Sequence, residues 1–213
     1  MDFREELDVR VVEPKHPARL SDGAAALRGA LQDPIEAPPL REQVRSSDRV
    51  GIVVNDITRP TPYGVILPVL LDELNHVPDE QIVILVATGT HRQNTLAELR
   101  SMLADTVVER FRVVQNNAKA PDTHTLAGVT HDGSEAWLHN EYLACDFRIL
   151  TGFIEPHFFA GFSGGAKACM PGLASLKTIL NNHRAENIDH PNATWGIAEG
   201  NPIWEEILSL IHI

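Results

Sequence analysis

The sequence predicts an α/β fold built on a mostly parallel sheet with flanking helices, and three observations carry that expectation. Two runs, RVGIVVND at 49–56 and QIVILVATGTHR at 81–92, open with apolar residues that do not alternate with polar ones, the pattern of strands buried on both faces. Each is followed by a segment of helical length, so strand and helix alternate along the chain. Each also ends in a polar loop rich in Gly, Pro or Thr, and in an open parallel sheet such loops gather at the carboxyl ends of the strands.

The elements follow in order. Residues 1–45 mix charge with Pro14, Pro17, Pro34, Pro38 and Pro39 and are expected to form an extended arm packing on the domain, with one short helix near 24–31. The main domain is expected over 46–207. After the first strand, PYGVILPVLLDELNHV has helical length despite Pro68; after the second, TLAELRSML is the next helix. RFRVVQNN and DFRILTGFI supply two further strands. Between them THTLAGVTHDGSEAWLHNEYL reads as a hairpin around Asp132-Gly133 followed by a short turn or helix. LASLKTILNNHRAEN has helical spacing that includes His183, and NPIWEEIL begins another helix. The last residues, 208–213, are expected to be an atypical tail.

Bulk composition excludes several classes. With 213 residues and 43% hydrophobic content the chain can bury a large core. No run reaches the roughly 18 apolar residues of a membrane helix, and the charged start MDFREELDVR lacks a signal-peptide core, so a cytoplasmic protein with no membrane partner is expected. Cys145 and Cys169 make no CxxC pair and are expected to be small buried residues. A net charge of -11 without Lys or Arg clusters argues against a nucleic-acid partner. A small anion would need a few local cations, which directs attention to Arg and Lys beside glycine turns.

Three strand-end loops hold the candidates. In Asp56-Ile57-Thr58-Arg59-Pro60-Thr61, helix capping by Asp56 or Thr58 accounts for the loop but not for Arg59, whose fork suits a carboxylate or phosphate and which Asp56 could hold. Thr88-Gly89-Thr90-His91-Arg92 reads either as a plain strand-to-helix turn, capped by Asn94 or Thr95, or as a place for proton transfer by His91. The third is GFIEPHFFAGFSGGAKACMPG at 152–172. It fails the P-loop pattern, since Gly165 comes one residue early and Lys167 precedes Ala168, and Gly161, Gly164 and Gly165 do not fit the dinucleotide fingerprint. Ser163 in Gly-x-Ser-x-Gly leaves a serine hydrolase as the alternative, and a degenerate anion- or partner-binding domain is a third reading. Lys167 beside Phe158, Phe159 and Phe162 requires a partner of some kind.

Taken together, NDITRPTP, ATGTHR, EPHFFAGFSGGAKACMPG, NNH and GNPIWEEI resemble the N-terminal domain of the LarA family, the nickel-pincer-nucleotide-dependent lactate racemases and related 2-hydroxyacid racemases and epimerases. The resemblance implies a nickel-pincer nucleotide tethered at Lys167, nickel ligation by His183, and His91 and His157 as paired acid/base residues. It implies that Arg59 and Asp56 bind the 2-hydroxy acid substrate, and that Thr88, Gly89, Thr90, Gly161, Ser163, Gly164 and Gly165 lie near the cofactor. It further implies cofactor-synthesis proteins as partners, a possible homo-oligomer, and a second domain of comparable size absent from this chain.

Overall fold

The computed structural model describes residues 10–13 and 18–212. In chain order, α1 (Gly23–Gln32) and α2 (Leu40–Gln43) precede β1 (Val50–Asn55). Helix α3 (Tyr63–Glu73) leads to β2 (Ile82–Ala87), and α4 (Leu96–Leu103) and α5 (Asp105–Arg110) lead to β3 (Arg112–Gln115). The hairpin of β4 (His124–Val129) and β5 (Glu135–His139) and the turn α6 (Asn140–Leu143) precede β6 (Phe147–Leu150). Then come a two-stranded ribbon, β7 (Pro156–His157) and β8 (Gly161–Phe162), and the helices α7 (Leu176–Asn182), α8 (Ala185–Ile188) and α9 (Pro202–Ile211).

Four strands form a wholly parallel sheet of order β3-β2-β1-β6. Strand residues alternate between two cores, as the period of two requires. Val50, Ile52, Val54, Ile82, Ile84 and Val86 pack with Tyr63, Leu67, Leu70, Leu99 and Leu103 from α3 and α4. Val53, Val83 and Leu85 face the other way, onto the hairpin, the glycine loop, Ile179 of α7 and Ile203, Ile207 and Leu210 of α9. The chain steps outward from β1 to β2 and β3, then returns to β6 on the opposite side of β1. This reversal splays the loops after β1 and β6 apart and opens a crevice at their carboxyl ends.

The predicted α/β class is thus observed, with both long apolar runs as strands buried on two faces. Helix α1 lies within one residue of the expected 24–31 at each end, and its Arg28 reaches Asp72 and Glu73 of α3. Pro68 sits inside α3, where the carbonyl it would leave free belongs to solvent-exposed Gly64. The expected hairpin turns through Gly133 at φ 85°. Within the expected arm, residues 1–9 and 14–17 lie outside the described residues, as does residue 213 of the expected tail. Helix α9 continues to Ile211, and its Leu210 is buried in the core. Among the described residues no helix is long and apolar enough to cross a membrane.

Two differences from expectation have local causes. The helix predicted through His183 stops at Asn182, leaving His183 as its C-cap with φ -92° and ψ 26°. The Asn182 carbonyl accepts from the Asn187 side chain (2.9 Å), while its own amide turns inward to the Ile203 carbonyl and Glu206. The capping role considered for Asp56 and Thr58 is not what they do. Helix α3 begins after Pro62 without a side-chain cap, and Asp56 Oδ1 instead accepts from the Thr58 N-H (3.2 Å) and hydroxyl (2.6 Å).

Gly161 is where the loop depends most on lacking a side chain. Its φ is 75°, and a Cβ there would lie 2.2 Å from the Ile197 carbonyl oxygen. Gly165 shares the positive φ (53°) but has open space around it. Gly161→Ala should therefore lower the unfolding free energy by more than about 1 kcal/mol, and by more than Gly165→Ala does, as measured by urea denaturation.

Candidate active site

The loops after β1, β2 and β6 converge, with His183 from the end of α7, on one cleft of about 400 Å³. Asp56, Arg59, Thr88, Gly89, Thr90, His91, His157, Ser163, Gly164, Lys167 and His183 all line it. Gly161 and Gly165 do not; Gly161 is buried beneath it, and Gly165 starts the 3-10 turn (Gly165–Ala168) that carries Lys167.

The two candidate acid/base histidines are prepared in opposite ways. Asp56 is 4% exposed, and its Oδ2 lies 2.7 Å from His91 Nδ1. An ionised carboxylate only accepts, so Nδ1 carries the proton and Nε2 of His91 keeps a free lone pair. His157 Nδ1 instead accepts from the Ala160 N-H (3.2 Å) and, more weakly, from that of Phe159 (3.4 Å), which puts the neutral ring's proton on Nε2. Burial first, then the charges of Lys167 and Arg59, pushes His157 down to about 4. In their neutral forms one imidazole therefore offers an acceptor and the other a donor.

Arg59 was expected to lean on Asp56. The structure corrects this: its guanidinium Nε pairs with Glu155 Oε1 at 3.4 Å, and Asp56 is occupied by His91 and Thr58. Glu155 had not been singled out, since nothing in the local sequence pairs it with a residue on another strand's loop. Among the described residues the terminal nitrogens of Arg59 are unengaged and free to take an anion.

Lys167 is the least accommodated charge. Among the described residues it makes no ion pair, and its Nζ sits 5.9 Å from the centre of the Phe159 ring. Burial, and then Arg59, pushes it down to about 8 against a smaller opposing pull from Glu155. His183 is also pushed down to about 4, by burial and then by Lys167. Its buried Nδ1 makes no hydrogen bond. Among the described residues no three His, Cys, Asp or Glu side chains cluster to hold a metal, so a metal ion at His183 would take its other ligands from a bound molecule.

Ser163 does not fit the hydrolase alternative. Its hydroxyl donates to the Phe153 carbonyl (2.6 Å) and accepts from the Glu155 N-H (3.1 Å), so it clasps the loop, and among the described residues no base is hydrogen-bonded to it. Thr88 likewise spends its hydroxyl on the Asn116 carbonyl (2.8 Å). Asn116, which sequence reasoning passed over, also donates to the Gly172 carbonyl (3.0 Å), tying β3 to the end of the glycine loop. Buried Asn201 does the same at the other side: it caps α9 and donates to the carbonyls of Phe159 and Ile197, each at 2.9 Å. Its Asn-Pro position marked a helix start but gave no sign of the loop contacts.

The folded value for Lys167, about 8, lies below the ordinary 10.5, so the unfolded chain binds more protons between those values and stability rises with pH across that window. Below pH 8 the charged ammonium is a cost. Lys167→Met should therefore stabilise the protein at pH 7 by on the order of 2 kcal/mol, with the difference fading above pH 10.5; denaturant titrations at both pH values check it.

Comparison with known proteins places this geometry. Residues 1–196 match the family model described as the lactate racemase N-terminal domain. The lactate racemase of Thermoanaerobacterium thermosaccharolyticum is 36% identical over 183 residues, covering 85% of this chain and 43% of that protein. That of Lactiplantibacillus plantarum is 38% identical over 180 residues, 84% of this chain and 42% of its own length. The structure of the lactate racemase apoprotein from T. thermosaccharolyticum superposes with a TM-score of 0.85 at 35% identity, over 89% of this chain and 46% of that one. A Thermotoga maritima protein at 21% identity shares the fold with a TM-score of 0.71. The chain thus spans less than half the length of the curated relatives it matches. On the family match and the identity to these relatives, the chain belongs to the lactate racemase N-terminal domain family.

Proposed function

We propose that this chain is the cofactor-bearing half of a racemase or epimerase of small, lactate-like 2-hydroxy acids. The observation that carries the reading is one cleft holding, among the described residues, an arginine with free guanidinium nitrogens, two histidines of opposite tautomer, and an uncompensated lysine beside a lone histidine. The relatives' second half would complete the pocket and select the substrate's side chain.

The residues fit a nickel-pincer nucleotide. Lys167, held near 8, offers on the order of a hundredfold more free amine at neutral pH than an ordinary lysine, which suits formation of a thioamide tether. His183 supplies one imidazole where, among the described residues, no cluster of side chains could hold a metal alone. Gly164 and Gly89, both at positive φ, let bare backbone form part of the cleft wall. When bound, the group supplies a pyridinium ring that exchanges hydride with the substrate carbon, its reactivity tuned by nickel.

The chain's own residues do the rest. Arg59 takes the substrate carboxylate and fixes the acid in the cleft. His91 Nε2 accepts the hydroxyl proton of one enantiomer, and Asp56 stabilises the imidazolium that forms. His157, with its proton on Nε2, donates a hydrogen bond to the oxygen of the other enantiomer, and the proton that returns to that oxygen is the one the hydroxyl gave up to His91, carried back by the imidazolium so that no imidazolate forms. Two histidines are needed because the enantiomers carry their hydroxyls on opposite sides.

Producing the chain together with cofactor-synthesis proteins tests this reading. Intact mass should show an adduct that Lys167→Ala abolishes, and His183→Ala should retain the adduct while losing nickel. Wild-type protein that stays unmodified under those conditions would contradict the proposal.

A further inference from the structure

We infer that Phe159 is the positioning residue of this cleft, its single ring setting the mutual orientation of His157, His183 and Lys167. The ring meets His157 edge-to-face at a centroid distance of 4.5 Å and an interplanar angle of 78°. It meets His183 in the same manner at 4.9 Å and 82°. Lys167 Nζ lies over the same ring at 5.9 Å. The three partners come from separate segments: β7, the 3-10 turn and the C-cap of α7.

Among the described residues, no hydrogen bond or ion pair joins any two of these three side chains. His157 bonds only to backbone N-H groups, His183 Nδ1 bonds to nothing, and Lys167 has no ion pair. Their shared contact is the aromatic ring. Edge-to-face packing is directional because the ring carries a negative face and a positive edge, so it orients an imidazole where an aliphatic side chain would only fill space. The same negative face favours the Lys167 ammonium without the hydrogen bonds that would hold it away from a reaction partner.

Phe159 can serve as a reference because its own backbone is fixed. Asn201 donates to its carbonyl (2.9 Å), and the next residue, Ala160, is fully buried. Phe158 provides the contrast. It stacks on His157 (4.7 Å, 15°) and extends toward Trp195 (6.3 Å), yet makes no ring contact with His183 and is 59% exposed. The two adjacent phenylalanines therefore differ in reach: Phe158 touches one of the three groups, Phe159 all of them. The inference takes its catalytic meaning from the function proposed above, but the placement of the side chains is independent of it.

The test uses cofactor-free protein with isotope-labelled histidine, its folding checked by amide spectra. In the wild type the ring protons of His157 and His183 should each show the nuclear Overhauser contacts of one fixed rotamer. Phe159→Leu should average both rings between rotamers, Phe158→Leu should disturb His157 alone, and Phe159→Tyr, which keeps the ring, should restore the wild-type pattern at both. If Phe159→Leu does not fold, Phe159→Met is read in the same way. A His183 signal unchanged by loss of the Phe159 ring, or disturbed equally by Phe158→Leu, overturns the inference. A second arm measures cofactor attachment to Lys167 by intact mass, with a severalfold lower yield expected in Phe159→Leu than in Phe158→Leu, and equal yields counting against the inference. If the wild type carries no adduct, the proposed function fails while the ring-rotamer arm still decides the role of Phe159.

Discussion

The arrangement of the cleft turns on one unfavourable interaction: the Lys167 ammonium held largely out of water, beside Arg59, without a carboxylate of its own among the described residues. An isolated buried cation either loses its proton or recruits a partner. Glu155, the nearest candidate, is already paired with Arg59, and Asp56 is committed to His91 and Thr58. The lysine is left with the face of Phe159 and a pKa of about 8. Its field adds to burial in keeping His157 and His183 neutral, so the same charge that costs stability helps hold both imidazoles in their uncharged form.

The fold tolerates this because the cost is confined to loops over a well-packed sheet. Two cores on opposite faces of β1 and β2 hold the strand ends in place, and the reversal of direction between β1 and β6 makes room between their loops. Asn116 and Asn201 then fasten the glycine loop at either side through side-chain amides on its backbone carbonyls. A histidine pair with complementary proton positions follows from those backbone positions: Asp56 sets one tautomer from β1's loop, and the Ala160 N-H sets the other from the ribbon.

Much of this could be read in the sequence, and what could not has a common cause. The apolar runs of β1 and β2 are strong signals because strands buried on both faces tolerate no polar residue. The order of strand ends and polar loops was enough to bring Arg59, His91 and Lys167 to one edge. Which charge meets which was not legible: Arg59 with Glu155, and His91 with Asp56 across 35 positions, are decided by tertiary packing. The end of α7 was missed because the spacing of 173–187 remains helical; an Asn187 side chain that caps the Asn182 carbonyl ends the helix there. The ribbon of β7 and β8 is two residues a strand, too short to leave a periodic trace. Lys167 itself stood out early as a charge among phenylalanines, while the role of Phe159 beneath it emerged only from the geometry.

The cleft holds the Lys167 amine well below the ordinary lysine range. The most direct measurement of this is the rate at which Lys167 in cofactor-free protein reacts with an amine-selective acylating reagent as a function of pH, read by peptide mass spectrometry with exposed Lys119 as the internal reference. A reactivity midpoint near 8 is expected for Lys167. A midpoint near the ordinary 10.5 would contradict it.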